Sequence, residues 1–488
     1  MNQSTASAAA GATVAPLHFV DPRHFKANTQ EAVDDAHLRR SFRSAMDFLQ
    51  TKRAAHFGGT SAQLPHFEAL RGVGEAVRQY SLSKLPDLLE QLEAQLTERG
   101  VQVHWAATPA DANAIFLALA REHGATGMIK GKSMVSEEIE LNHRMAEHGI
   151  DCLESDMGEY IVQLADERPS HIIMPAIHKT KQQIAELFAQ HIPDTPYTED
   201  VDALIAIGRK VLRNQFRDAA IGVSGVNFMV AETGTLVLVE NEGNGRMCTT
   251  VPKVHIAITG IEKVVERFEH VLPLFGLLTR SATGQAVTTY LNVISGPRRP
   301  GELDGPEQMH LILLDNGRSQ AYRDADFRPT LQCIRCGACM NHCPVYARIG
   351  GLAYGTTYPG PIGSIISPHL LGLEPTQDLP TASSLCGACA EVCPVGIPIP
   401  ELLMQLRHAA KHDAAPGRAP LGGQASAKDW REALAWKAWA WLNERPALYR
   451  VAMRIGHRLR WLTPHWQGGW TAHRTPMRLA PRGLRERL

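Results

Sequence analysis

Seven of the nine cysteines in this 488-residue chain fall between positions 333 and 393, and no other feature restricts the fold so tightly. The segment CIRCGACMNHCP places Cys333, Cys336, Cys339 and Cys343 at C-x2-C-x2-C-x3-C spacing ahead of Pro344. That run is the bacterial ferredoxin pattern, in which one tight loop wraps three thiolates around an iron–sulfur cluster. Gly337 gives the backbone room to turn close to the inorganic sulfides. A second segment, LCGACAEVCP, supplies Cys386, Cys389 and Cys393, followed by Pro394.

In two-cluster ferredoxins the last cysteine of a run ligates the other cluster. By that rule Cys333, Cys336, Cys339 and Cys393 hold cluster 1, and Cys343, Cys386 and Cys389 hold cluster 2. The position that would complete the second set is Ser383. A serine alkoxide is a harder and rarer iron ligand than thiolate. Cluster 1 is therefore expected to be [4Fe-4S]. Cluster 2 is left open between a [3Fe-4S] cluster and a [4Fe-4S] cluster with a non-cysteine fourth ligand, and Ser383 reads equally well as an ordinary loop residue. Structural zinc is the competing reading, but it wants four-ligand sets separated by longer loops, whereas three of these cysteines fall within seven residues.

The chain is long enough for two or three domains. Residues 1–65 read as a small-residue leader followed by a helical segment. Residues 66–315 read as an α/β domain, 316–410 as a mainly helical, ferredoxin-like module, and 411–488 as a helical tail rich in Trp and Arg. In the α/β region, short apolar runs (VQVHWA, GMIK, HIIMPA, TLVLVE, VHIAITG, HLILLD) alternate with helical stretches, which predicts an open, largely parallel sheet. The boundary to the cysteine module falls in the loop ISGPRRPGELDGPEQ or just after the next strand, near Asp315–Asn316. Fifty basic and fifty acidic residues cancel, so composition gives no argument for nucleic-acid binding. The leader lacks the basic start and apolar run of a signal peptide, and no run of about eighteen apolar residues occurs. The expected compartment is the cytoplasm.

Several polar segments of the α/β region are candidates for binding. Ser133 in GKSMVSEEIELN is placed to cap a helix, with Glu137 and Glu138 favouring its N-terminal end and Lys130 or Lys132 available to an anion. Glu154, Asp156 and Glu159 in ESDMGEY suit a cation site or a general base, or a solvated loop with caps. His171 and His178 flank HIIMPAI, and a buried, hydrogen-bonded fate fits each better than a metal site. Thr233, Gly234 and Thr235 form a polar turn before an apolar strand, and Asn241 to Arg246 another after it. With Lys130, Arg246 and His255 they make a candidate anion pocket, weighed equally against a β-hairpin with Gly-rich ends. Cys152 and Cys248 read as buried small hydrophobes. No G-x-G-x-x-G follows a strand, so no dinucleotide site is expected.

Beyond the cysteine motifs, KGKSMVSEEIELN, ESDMGEYIVQLADERPSHIIMPAIHKTK and ETGTLVLVENEGNGRMCTTVPKVHIAITGIEKVV resemble the iron–sulfur B protein of the bacterial lactate-utilisation system, over nearly the whole length. The resemblance implies a lactate-utilisation domain on an open α/β fold. It also implies two partner proteins with which L-lactate is oxidised to pyruvate. One is cysteine-rich and related to heterodisulfide reductase subunits, and the other carries a second lactate-utilisation domain. The missing cysteine at position 383 is typical of this family. Two other functional classes remain open on the residues alone: a stand-alone enzyme acting on a small carboxylate in the α/β pocket, and a non-catalytic redox sensor or scaffold. The tail segment WREALAWKAWAWLNERPALYRVAMRIGHRLRW suits packing on the chain's own module, docking on a partner, or peripheral contact with an anionic membrane.

Overall fold

The computed structural model describes residues 21–57, 64–411, 430–466, 471, 474–478 and 480. The leader at 1–20 and Trp470 of the tail lie outside them. The chain divides into two compact units, residues 1–425 and 426–488.

In the larger unit, six strands form a wholly parallel sheet: β1 (Val101–Ala106), β2 (Gly127–Lys130), β3 (Asp151–Glu154), β4 (Ile221–Gly225), β7 (Val254–Gly260) and β10 (Gln308–Leu314). Their order is β1-β10-β7-β4-β2-β3. A smaller sheet is ordered β8-β5-β6-β9 and consists of β5 (Phe228–Val230), β6 (Thr235–Glu240), β8 (Val264–Val265) and β9 (Tyr290–Ile294). Strands β4 and β7 are buried along their whole length. Covered on both faces, they carry Ile and Val with small or hydrogen-bonded polar residues rather than an alternation of apolar and charged ones. The expected open α/β sheet, helical cysteine module and helical tail are all present.

Two strand readings are corrected. TLVLVE is β6, paired antiparallel with β5 and β9 in the small sheet rather than in the parallel one. HIIMPA is a loop. The His171 ring accepts the backbone N–H groups of Ile173 and Met174, at 3.0 and 3.1 Å, and Pro175 has no N–H to give a ladder. The loop at 295–307 joins β9 to β10, so the chain passes from the small sheet back into the large one there.

Helices Ala36–Phe57 and Leu64–Ser83 pack against the cysteine module and share its apolar core. Phe42 meets Tyr346 edge-on at 5.5 Å, and Gln50 donates to the Asn341 carbonyl at 2.6 Å. Arg71 donates to the carbonyls of Cys393 and Ala390 at 2.9 and 3.0 Å. Arg78, fully buried, donates to four carbonyls: Gln332, Leu331, Val264 and Glu262. The smaller unit holds helices Trp430–Asn443 and Pro446–Arg458, and no residue of the second is buried. Among the described residues, no helix is long and apolar enough to cross a membrane.

Candidate functional site

The two cysteine loops share one local design. Gly337 and Gly387, at φ +75° and +85°, each open a four-residue helix, Ala338–Asn341 and Ala388–Glu391. The residue before the cysteine that precedes each glycine is left-handed in both loops, Arg335 at φ +62° and Leu385 at +55°. These conformations turn successive thiols inward. Cys333, Cys336, Cys339 and Cys393 line one small apolar cavity with Ile334, Ile362 and Val395. Cys343, Cys386 and Cys389 form a separate group close enough to influence one another's ionisation.

All these thiols are buried except Cys386, which is exposed. Burial pushes the Cys336 and Cys389 thiols up to about 12 and Cys393 up to about 11. The fold alone therefore keeps them protonated, and coordination to iron is what makes a thiolate of such a group. Backbone N–H groups already point at sulfur: Arg335 at Cys333 (3.3 Å), Tyr346 at Cys343 (3.5 Å) and Ile397 at Cys393 (3.4 Å). Among the described residues, no three His, Cys, Asp or Glu side chains converge as on a single metal ion. Four thiols spread around an apolar cavity, with N–H donors to sulfur, fit a polynuclear cluster.

Ser383 behaves as a turn residue. Its hydroxyl accepts the Leu385 N–H at 3.1 Å, and its carbonyl accepts from Arg407. Its neighbour Ser384, which the motif does not single out, hydrogen-bonds the Cys386 thiol. The Ala388 N–H, and after it that bond, hold the exposed cysteine below the usual thiol range.

The six residues of the expected anion pocket are not brought together. The Thr233–Thr235 turn joins β5 to β6 and abuts helix Leu85–Glu98, where a Cβ on Gly234 would lie 2.8 Å from Gln95. Arg246 sits beyond the other end of β6, about 16 Å along the strand, and stacks over Tyr290 at 4.5 Å. Lys130 is buried in an acidic nest, 2.5 Å from Glu137, 2.6 Å from Glu154 and 2.9 Å from Ser136 Oγ. His255 lies inside β7 against Ser224 Oγ at 2.8 Å, and burial pushes it down to about 3.

The acidic segment is likewise structural. Asp156 accepts the Glu159 N–H as a helix cap, and Glu154 and Glu159 are buried. Ser133 accepts the Ser136 N–H in the same way. His171 contacts Asn341, and His178 bonds Glu167 and Ser170. Burial raises the Cys152 and Cys248 thiols to about 12, which leaves them unreactive.

What the structure does form is a cleft of about 460 Å³ above the carboxyl ends of β2 and β4. The chain leaves β2 toward β3 on one side and β4 toward β7 on the other, so this crevice is a topological switch point, where open α/β sheets bind ligands. The loops Gly131–Ser133 and Gly225–Asn227 make its floor, and a Cβ on Gly225 would meet the Ser133 side chain at 3.2 Å. Lys263, Tyr358 and Arg335 close one wall, and Arg335 belongs to the loop between Cys333 and Cys336. Sequence reading missed Lys263 and Asn227, which carry no local signal. Arg335 carried one, a lone cation between two cluster cysteines.

An open α/β domain fastened to paired cysteine loops defines an iron–sulfur protein with a LUD domain ahead of a dicluster module. Residues 89–314 match the LUD domain and residues 330–397 the 4Fe-4S dicluster domain. Residues 405–488 match the C-terminal region of lactate utilisation protein B. Lactate utilization protein B of Bacillus licheniformis is 41% identical over 436 residues, 89% of this chain and 88% of its own. The Bacillus pumilus protein of that name is 44% identical over 406 residues, 82% and 83% of the two chains. An uncharacterized electron transport protein of Escherichia coli, YkgF, is 40% identical over 442 residues, 90% and 88%. The chain belongs to the lactate utilisation protein B family.

Proposed function

We propose that this chain is the electron-transfer subunit of a complex that oxidises L-lactate to pyruvate, working with two partners: one cysteine-rich and heterodisulfide-reductase-like, one with a second LUD domain. The observation that carries this reading is the placement of the two cysteine groups. One is buried, in a loop whose Arg335 lines the α/β cleft, and the other reaches the surface at Cys386. Cys333, Cys336, Cys339 and Cys393 would hold one cluster, and Cys343, Cys386 and Cys389 a second with one position left to another ligand. When bound, such clusters accept and release single electrons at potentials set by ligation, hydrogen bonds to sulfur and solvent exposure. The chain's own residues do the rest. Buried apolar side chains exclude water from the first group, N–H donors tune its sulfurs, and the exposed Leu385–Cys386 turn presents the second to a partner. The names of the relatives, which speak of lactate utilisation and electron transport, support the same role.

Anaerobic purification with iron and sulfide quantification, and paramagnetic resonance before and after dithionite, tests it. About seven to eight irons per chain with two cluster signals are expected. Near-zero iron after reconstitution, or stoichiometric zinc, would overturn the reading. Lactate-dependent reduction of the clusters only when both partners are present would establish the complex.

A further inference from the structure

We propose that the switch-point cleft is a binding site for a small organic carboxylate, which Arg335 and Lys263 hold by its anionic end beside the Cys333–Cys336 loop. The choice of a 2-hydroxy acid, or the 2-oxo acid it yields, rests on the electron-transfer reading above. The site itself rests on the arrangement of polar groups.

Three carboxylates and four cations line the cleft, and their commitments differ; Lys52 lies over the Phe48 ring at 4.5 Å. Asp156 accepts the Glu159 N–H, Glu242 the Met157 N–H, and Glu240 the N–H groups of Gly245 and Arg246. Lys132 donates to the Ile173 carbonyl at 2.6 Å. By contrast Arg335 Nη1 is buried without a hydrogen-bond partner. Lys263, 5% exposed, donates to a single acceptor, the Cys333 carbonyl, at 3.2 Å. A guanidinium fork and an ammonium together leave several N–H donors unused. The unmet demand of the cleft is therefore for an acceptor, and a carboxylate matches a guanidinium in both charge and shape.

Arg335 is also held in place. Its guanidinium lies 4.4 Å above the Tyr358 ring, and its Nη2 is 3.4 Å from Glu262. Its left-handed backbone is strained for a residue with a Cβ, and the cysteine loop maintains that strain. Arg335 and Lys263 line the cleft, whereas neither lines the cavity enclosed by the four cysteines. Around them Met134, Ile173, Val226 and Leu238 make an apolar wall, which strengthens a charge-assisted hydrogen bond and suits the carbon skeleton of an organic acid.

The test is calorimetric titration of the anaerobically reconstituted full chain with L-lactate, pyruvate and orthophosphate, together with the resonance spectrum of the reduced protein with and without each. The variants are Arg335→Gln and Val226→Phe, the second filling the cleft from outside the cysteine loop. The expected result is carboxylate binding that weakens about tenfold or more in each variant, with iron content unchanged in Val226→Phe. Carboxylate affinity unchanged in Val226→Phe, or binding of orthophosphate alone, overturns the proposal. A chain with both clusters that binds no carboxylate sinks the site and leaves the relay. A chain that binds carboxylate in the cleft but holds no iron sinks the relay and leaves the site.

Discussion

Arg318→Met should be among the most damaging single changes in this protein. Arg318 follows β10 and is fully buried. It forms a two-pronged pair with Glu138 (2.8 and 2.7 Å) and bonds Glu262 through Nε at 2.7 Å, and both carboxylates are almost as buried. Glu138 ends the helix after β2, and Glu262 follows β7, so one guanidinium ties the carboxyl ends of three strands. Removing it leaves two carboxylates with reduced compensation. Glu138 keeps Asn316 at 2.7 Å and the Tyr358 hydroxyl at 2.9 Å, and Glu262 keeps Arg335 at 3.4 Å. Breaking a buried pair by deleting one partner costs about 3–5 kcal/mol. The residual hydrogen bonds place this case near the lower end, still a large part of the roughly 5–15 kcal/mol that holds a domain folded. Urea unfolding of anaerobically prepared protein, followed by circular dichroism, reads the cost. The double variant Glu138→Gln/Arg318→Met removes the stranded charge as well, so it should be less destabilised than the sum of the singles by more than about 1 kcal/mol. A single-variant cost under about 1 kcal/mol, or strict additivity, would refute the reasoning.

Gly222→Ala should fail by overpacking, because the new Cβ would lie 1.9 Å from the Cys248 carbonyl oxygen. A loss of at least about 2 kcal/mol is expected, and thermal melting within a degree or two of the parent would contradict it. Burial pushes the Glu154 carboxyl from 4.5 up to about 7. Its contribution to stability is thus full below pH 4.5 and lost as pH rises through about 7. Glu154→Gln should flatten the stability curve across that window, and an unchanged slope in urea midpoints would speak against it. Cys336→Ser should lower iron content by about half while sparing the signal of the second cysteine group; loss of both signals would mean that the groups do not assemble independently. A fragment of residues 316–410 should not fold alone, since Arg78, Arg71 and Gln50 all donate into it from outside. Dispersed amide resonances from such a fragment would disprove that dependence.

What could be read from sequence divides along physical lines. The cysteine grouping was readable because each loop is a local object and, in a paired motif, the last cysteine of each run crosses to the other set. Strands β7 and β10 were readable because burial on both faces leaves a continuous apolar run. HIIMPA has the same apolar look, yet it is a loop because the His171 ring takes two backbone N–H groups that a strand would have given its neighbour. The polar residues of the α/β region misled for a related reason. Lys130, Glu154 and Glu159 look like an open site in sequence, but all three are buried, Lys130 paired with Glu154 and Glu137 and Glu159 facing Lys132. The cleft was invisible because its groups come from separate loops, joined only by the crossover between β2 and β4 and by the seating of the cysteine module. Neither periodicity nor motif spacing encodes that seating.

The seating of the module fixes the cysteine loop relative to the sheet. A ferredoxin loop carried on a flexible linker would present its cysteines in any orientation. Here Arg78 draws the carbonyls of Leu331 and Gln332, just before Cys333, together with those of Glu262 and Val264 beside β8. Lys263 reaches the Cys333 carbonyl from the same short segment. The Glu138–Arg318–Glu262 network then connects that segment to the carboxyl ends of β2, β7 and β10, and Glu262 also faces Arg335. Each of these contacts is buried, so displacing the cysteine loop from the cleft would expose several charges or carbonyls without partners at once. The orientation of Arg335 toward the cleft is in this sense fixed by the sheet itself, and whatever binds there meets the cysteine loop at a set position rather than by chance encounter.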